Sequence, residues 1–335
     1  MNSTWQTFLT AQGARYDGDR LAGFATDSPA MSADILADLS HEGIIAVQGA
    51  DARAFLQGQL STDIDALTPD TSQLSSWSTA KGRVVTVLRV LQYQERILLL
   101  LPRPLLTAVM KRLSMYVLRA KASLSDASDA WVRIGLAGNN AIRLLEIAGL
   151  PVPRKVNAAI THGDLLIVRL HGATPRFLIL GPTVEMTDTW KRLVSAGAVA
   201  AGEDSWALHK ILAHEATVYP ETTEHFVAQM IGLEELGAVN FKKGCYIGQE
   251  IIARAHFRGT VKRHLLQARC DTKDIIPPGA AIRIAGNTVP VAEVVDARPG
   301  MGSGQEMLIV IQDEHRDGAL QLTTNGRPVS IVQAV

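Results

Sequence analysis

Helical periodicity disappears from this chain after about Lys262. The apolar runs beyond that point are short: Leu265–Ala268, Ala281–Ile284, Val289–Val295, Met307–Ile311 and Val329–Val332. Gly, Pro, Asn and Asp separate them. Runs of this length, punctuated by turn formers, predict strands, and several in succession predict a small antiparallel barrel. The loop Pro299–Gly304 is glycine-rich but has no helix signal after it. It reads as a β-loop and not as a phosphate cradle.

Upstream the texture is mixed. Trp5, Phe8 and Leu9 fall at helical spacing, and a polar stretch to about Ala30 reads as irregular. Gly43–Gly49 predicts a buried strand. Asp51 is placed to cap a helix that buries Phe55, Leu56 and Leu60. Two strand-like runs flank Lys81-Gly82, which predicts a hairpin. Arg96–Leu101 is another strand, ended by Pro102. Leu105–Leu118 reads as a helix, with Leu106, Val109, Leu113, Tyr116 and Val117 near one face. After a strand at Trp131–Ala137, helices are predicted at Asn140–Ala148, Thr183–Ala196 and Asp204–Glu215. Strands at Leu165–Leu170 and Arg176–Leu180 lie among them. Irregular alternation with hairpins favours α+β over a doubly wound parallel sheet.

Composition sets limits. The chain has 335 residues, 47% of them apolar, enough for two or three packed domains. Lys plus Arg and Asp plus Glu number 33 each, so nucleic acid or membrane binding requires a local patch. Two cysteines, Cys245 and Cys270, exclude a disulfide framework and fit a reducing compartment. The first twenty residues lack the apolar core of a signal peptide. Val84–Leu101 is too interrupted by polar residues to span a bilayer as a helix. The expected location is the cytoplasm.

The chemistry concentrates in Lys243-Gly244-Cys245-Tyr246-Ile247-Gly248-Gln249-Glu250. Gly244 and Gly248 permit sharp turns or close approach. A helix starting near Gly248 leaves Cys245 just outside its N-terminus, where the dipole and the ammonium groups of Lys242 and Lys243 favour a thiolate and a bound anion. The plainer alternative is a small buried hydrophobe, which is the reading for Cys270. Between Lys242 and His264 lie Lys242, Lys243, Arg254, Arg258, Lys262 and Arg263 against one acid, Glu250. This island is either an anion or RNA phosphate site or a solvated helix face. The nine histidines match no zinc pattern, no metal site is predicted, and the Gly-x-Ser-x-Gly elbow of serine hydrolases is absent.

The octapeptide resembles the Lys-Gly-Cys-Tyr-x-Gly-Gln-Glu signature of the YgfZ-type folate-binding proteins, relatives of the glycine-cleavage T-protein, an aminomethyltransferase. Ala253-Arg254, Arg258-Gly259 and Lys262-Arg263 continue the likeness. So do Gly49-Ala-Asp51, Phe55-Leu-Gln-Gly-Gln59 with Asp63, Lys81-Gly82-Arg83, Glu215, Phe226, Gln229, Leu233, Ala238 and Phe241. Ala228, Gly232 and Thr217 depart from the family's proline, asparagine and glycine. Thr86 and Val87 stand where the aminomethyltransferase has an acidic pair, which argues against its catalysis here.

The resemblance implies an α+β, T-protein-like architecture of three modules: residues 1–47 with 137–260, an inserted 48–136, and a barrel at 261–335. It implies tetrahydrofolate as ligand, Cys245 and Lys243 as the reactive pair, and Asp63, Lys81, Glu215, Gln229, Gly244, Tyr246, Gly248, Gln249 and Arg254 at the cofactor. It further implies assembly or maintenance of [4Fe–4S] clusters in client enzymes, a tRNA-thiomethylating enzyme among them, with a weak tRNA contact as a further expectation. A folate-dependent one-carbon transferase or demethylase is the alternative.

Overall fold

The computed structural model describes residues 2–24, 33–259, 261–300 and 304–332. The chain divides into two compact units: 1–56 with 64–73 and 88–209, and 57–63 with 74–87 and 210–335.

The first unit opens with helix α1 (Ser3–Ala11) and a hairpin, β1 (Ala14–Asp17) and β2 (Arg20–Phe24). The hairpin replaces the irregular stretch expected there. Gly18 turns it at φ +59°, and Leu21 and Phe24 are buried, so two anchors sufficed where no long apolar run was visible. Residues 25–30 of that stretch lie outside the described residues. Strands β3 (Ile35–Asp38) and β4 (Glu42–Gln48) follow, then α2 (Ala52–Gln57). Asp51 does not cap α2 with its side chain. Its Oδ2 accepts a hydrogen bond from the Lys121 N–H instead, at 2.7 Å, and Leu60 falls beyond the helix.

Strands β5 (Ser72–Ser78) and β6 (Val84–Tyr93) each begin in one unit and end in the other. They are followed by β7 (Arg96–Pro102), α3 (Arg103–Ser114), β8 (Ser123–Asp126) and β9 (Val132–Ala137). Helix α3 stops one turn short of expectation, leaving Tyr116 outside it and exposed. Then come α4 (Ala141–Ile147), β10 (Ala159–His162), β11 (Leu165–Leu170), β12 (Arg176–Gly181), α5 (Thr183–Ala196), β13 (Val199–Ala201) and α6 (Glu203–Leu212).

Six of these strands form a sheet in the order β10-β11-β12-β9-β3-β13, antiparallel except for β13 beside β3. Alternate residues of one strand enter different cores. Leu165 and Ile167 of β11 face Trp5, Leu144 and Trp190 from the helices. Leu166 and Val168 face Ile44 of β4, Leu91 of β6, and Leu98 and Leu100 of β7, strands of a second sheet in the order β5-β6-β7-β4-β8. With both faces covered, a strand reads as a near-continuous apolar run, as Leu165–Val168 of β11 and Phe177–Leu180 of β12 do. Each fully buried Leu or Ile contributes about 1.5–3 kcal/mol. Trp5 adds orientation, since its Nε1 donates to Asp38 Oδ1 at 2.8 Å.

In the second unit, β5 and β6 continue into a tight turn, where the Thr79 N–H donates to the Arg83 carbonyl at 2.8 Å and Gly82 sits at φ +69°. A long segment with a 3-10 helix at Ala228–Ile231 leads to helix α7 (Gln249–Arg258). The strands β14 (Arg263–Cys270), β15 (Ala281–Ile284), β16 (Pro290–Pro299), β17 (Gln305–Gln312), β18 (Leu320–Leu322) and β19 (Pro328–Ile331) then close a barrel in the order β14-β17-β16-β15-β18-β19. The expected barrel is present, with β18 as a strand too short to recognise from its pattern. Cys270 is fully buried inside it with Ile282, Val294, Met307 and Ile309. Gly300 and Gly304 pair at the base of the β16–β17 loop; residues 301–303 lie outside the described residues. Among the described residues, no helix is long and apolar enough to cross a membrane.

Candidate functional site

The cysteine loop is fastened to the chain before and after it. Asn240 Oδ1 accepts the N–H groups of Lys242 and Lys243, at 2.7 and 3.0 Å, which folds the chain into an Asx-type turn. Lys243 then reaches back to the 57–62 segment. Its Nζ donates to the carbonyls of Gln57, Leu60 and Thr62, at 2.7, 2.8 and 2.7 Å. An ammonium group has three protons, and three carbonyls receive them. The 57–62 segment is itself held by buried hydroxyls. Ser61 donates to the Ala238 carbonyl at 2.6 Å, and Thr62 donates to Ser75 at 2.8 Å. Lys243 thus acts first as a pin beneath the loop. Neither Asn240 nor the Ser61–Ser75 network was foreseen from the sequence, although an asparagine two residues ahead of a lysine pair is an Asx-turn signal.

Above the pin, Cys245 is exposed. Gly244 beside it has open space where a side chain would project. Tyr246 turns inward and is buried, with Lys243 Nζ 5.1 Å from its ring centre. Burial pushes its phenol up to about 12, so it stays protonated. The Ile247 N–H donates to the Gly58 carbonyl at 3.3 Å.

Gly248 is the N-cap of α7 in the left-handed region, at φ +83°. A Cβ there would strike the Thr79 carbonyl oxygen and would lie 3.2 Å from Gly82 Cα. A Cβ on Gly82 would meet Ile251 of α7. Two glycines thus bring the Lys81-Gly82 hairpin against the start of α7, as the expected close approach requires. Lys81 stands exposed at the hairpin turn, and Gln249 is the first residue of α7.

Gln229 couples the 3-10 helix to α7, its Nε2 donating to the Ile252 carbonyl at 2.9 Å. The departures around it fit their backbone. Ala228 opens the 3-10 helix, where proline is also accepted. Gly232 ends it at φ +71°, where glycine and asparagine are both at ease. Asp63 Oδ1 accepts from Gln57 Nε2 at 2.7 Å, and Glu215 is buried with Lys210 3.8 Å away. Arg254 is exposed on α7. The structure therefore brings Gly248, Gln249 and Gln229 together at the first turn of α7, while Lys243 lies on the 57–62 segment. Arg254 lies on the outward face, and Glu215 lies beside Lys210.

Among the buried polar atoms of this unit that lack a hydrogen-bond partner are Gln59 Oε1, Gln229 Oε1 and Tyr246 Oη. Gln59 was quoted in a motif but not expected at a site. A buried polar atom left without a partner costs about 1–3 kcal/mol, and a ligand or an ordered water can complete it. Thr86 is fully buried, and its hydroxyl donates to the Val87 carbonyl at 3.1 Å. No carboxylate stands at either position. Among the described residues, no group of three or more His, Cys, Asp or Glu is placed to hold a metal ion.

Residues 30–152 match the family model of the GCVT N-terminal domain. The tRNA-modifying protein YgfZ of Edwardsiella ictaluri is 30% identical over 225 residues, covering 67% of this chain and 68% of that one. The chain belongs to the YgfZ family. The YgfZ protein of Colwellia psychrerythraea is 29% identical over 230 residues, 69% of this chain and 70% of its own. The fold is that of the glycine cleavage system aminomethyltransferase T of Bartonella henselae. The two share a TM-score of 0.76 and 18% identity over 98% of this chain and 95% of the other. This YgfZ-family chain thus has an α+β, GcvT-like architecture ending in a closed barrel.

Proposed function

We propose that this protein binds tetrahydrofolate and assists the assembly or maintenance of [4Fe–4S] clusters in client enzymes, a tRNA-thiomethylating enzyme among them. The observation that carries the folate reading is Gln229, 6% exposed, with Nε2 fixed to α7 and Oε1 lacking a donor. A reduced pterin offers several ring N–H groups along one edge. Buried amide oxygens such as those of Gln229 and Gln59 match that edge. The cationic side chains of Arg254 and Lys242 suit the carboxylates of the glutamate tail. Bound tetrahydrofolate would supply the ring nitrogens that carry one-carbon units. The chain's own part is to hold it, leave room at Gly244, and present the Cys245 thiol to solvent.

Thr86 and Val87 support an accessory role over turnover, because neither carries a carboxylate to orient a folate nitrogen and balance developing charge. In cells lacking the wild-type copy, Cys245→Ala is expected to leave a [4Fe–4S] client enzyme at low activity. Full rescue would remove the thiol from the mechanism. Turnover of an aminomethylated or methylated donor by the purified protein with tetrahydrofolate would favour the transferase alternative instead.

One observation favours RNA contact as a second reading. Phe257 is 67% exposed on α7, and Arg254, Arg258 and Lys262 are exposed in the same stretch of chain. An aromatic face among cations suits a stacked base with its phosphates. Such binding should weaken steeply as salt rises. Absent or salt-insensitive tRNA binding discards it.

A further inference from the structure

Helix α3 ends at Ser114, and the chain then makes a tight double turn before β8. Three backbone hydrogen bonds shape it: Tyr116 N–H to the Leu113 carbonyl (2.9 Å), Val117 to Ser114 (3.3 Å) and Ala120 to Val117 (2.8 Å). Its far end is bolted down twice, by Lys121 N–H to Asp51 Oδ2 and by Asp51 N–H to the Lys121 carbonyl at 3.1 Å. Its near end hangs from Leu105, Leu106, Val109 and Leu113, all buried. The turn is therefore built, with a defined shape.

What it displays is unusual. Leu118 is 87% exposed, Met115 64% and Tyr116 40%. Leu118 also adopts the left-handed region at φ +49°, which is rare for a branched, non-glycine residue. Neither solvation nor local packing favours a leucine there. Lys111, Arg112, Arg119 and Lys121 flank these three residues along the chain, and no Asp or Glu occurs between Arg103 and Ser125. In a chain whose charges balance overall, the charged side chains of this segment are all cationic, beside an apolar knob.

We propose that this turn is the docking surface for the client protein, and that the client offers an apolar cleft bordered by carboxylates. Three arguments favour a protein over a nucleic acid or a lipid surface. Met, Tyr and Arg are the residues enriched at protein interfaces. Leu118 and Met115 are aliphatic and cannot stack on bases as a nucleic-acid platform requires. The hydrogen-bonded turn pre-orders the knob, which lowers the entropic cost of seating it in a matching cleft. The cations steer the encounter and exclude basic partners. Methionine's adaptable side chain suits a surface that meets several clients. The identity of the occupant rests on the accessory role proposed above; the surface itself does not.

The test compares the full-length wild-type protein with Leu118→Asp, Leu118→Gly and Arg119→Glu. The probe is the purified tRNA-thiomethylating [4Fe–4S] enzyme from the same cells, with binding followed by biolayer interferometry. Wild type is expected to bind, and each variant to bind about tenfold or more weakly. Leu118→Gly removes the knob and relieves its backbone, so it should lose docking while its Tm holds or rises. Tetrahydrofolate binding should be unchanged in all three. In cells lacking the wild-type copy, the variants should fail to restore client activity that wild type restores.

Equal binding by wild type and Leu118→Asp, or no binding by either, overturns the proposal. So does wild-type binding to phosphatidylglycerol vesicles that is lost in Leu118→Asp, which would assign the knob to lipid. If cells lacking the protein keep full client activity, the accessory role fails. If wild type restores activity and Leu118→Asp restores it equally, the docking surface alone fails.

Discussion

Lys243 Nζ and the Leu60 carbonyl oxygen lie 2.8 Å apart, across a gap of 183 positions in the chain. With the matching bonds to Gln57 and Thr62, this contact makes the lysine of the cysteine motif a structural clamp. The loop that carries Cys245 is therefore a product of long-range backbone recognition.

Replacing Lys243 with Met keeps the apolar stem and removes three charge-assisted hydrogen bonds. Three carbonyls lose their donor. The cost is expected at about 2–4 kcal/mol in denaturant unfolding, larger than any single bond because the bonds act together. Cys245→Ala, at an exposed position, should change stability by less than about 0.5 kcal/mol. Equal effects from the two would show that the clamp does not hold the loop.

The two glycines of the motif should behave differently. Gly248→Ala combines a left-handed backbone with a clash against the Thr79 carbonyl, and is expected to cost about 1–3 kcal/mol. Gly244→Ala meets open space and should fold within about 0.5 kcal/mol of wild type. Thermal unfolding of the pair reads this contrast directly.

Much of this was legible because the signals are local. The Lys81-Gly82 hairpin, helix α5, the barrel's apolar runs and the helix start after Gly248 all follow from turn chemistry and periodicity. The cysteine motif could be read because its glycines sit among charges. What escaped depends on distance along the chain. The β1–β2 hairpin rests on two buried anchors, Leu21 and Phe24, that gain meaning only against the six-stranded sheet's core. Asp51 was expected to serve its own helix, yet it serves Lys121, seventy residues away. Tyr116 fits the apolar stripe of α3, but the helix ends before it. Gln59 was one polar residue of a motif in a stretch read as helix, and only burial exposed its unpartnered oxygen.

One pH dependence follows from the first unit. His209 is buried and titrates at about 4, lowered by burial and by the neighbouring Arg176 charge, with Asp34 opposing. Its unfolded value is about 6.5. Between these values the unfolded chain binds more protons than the native one, so stability rises with pH across that window. The penalty is fully developed below about pH 4 and gone above about pH 6.5. From pH 5 to pH 7 this group should contribute about 2 kcal/mol of increase. Urea unfolding should show that slope, and His209→Gln should flatten it.

The central claim is that the unpartnered oxygen of Gln229, fixed beside α7, belongs to a folate site. Calorimetric titration of the purified protein with tetrahydrofolate tests it most directly. Wild type should bind with a micromolar Kd, Cys245→Ala should bind alike, and Gln229→Leu should bind about tenfold more weakly, a change of about 1.4 kcal/mol. No binding by wild type at concentrations up to about a millimolar, or unaltered binding by Gln229→Leu, would contradict the account.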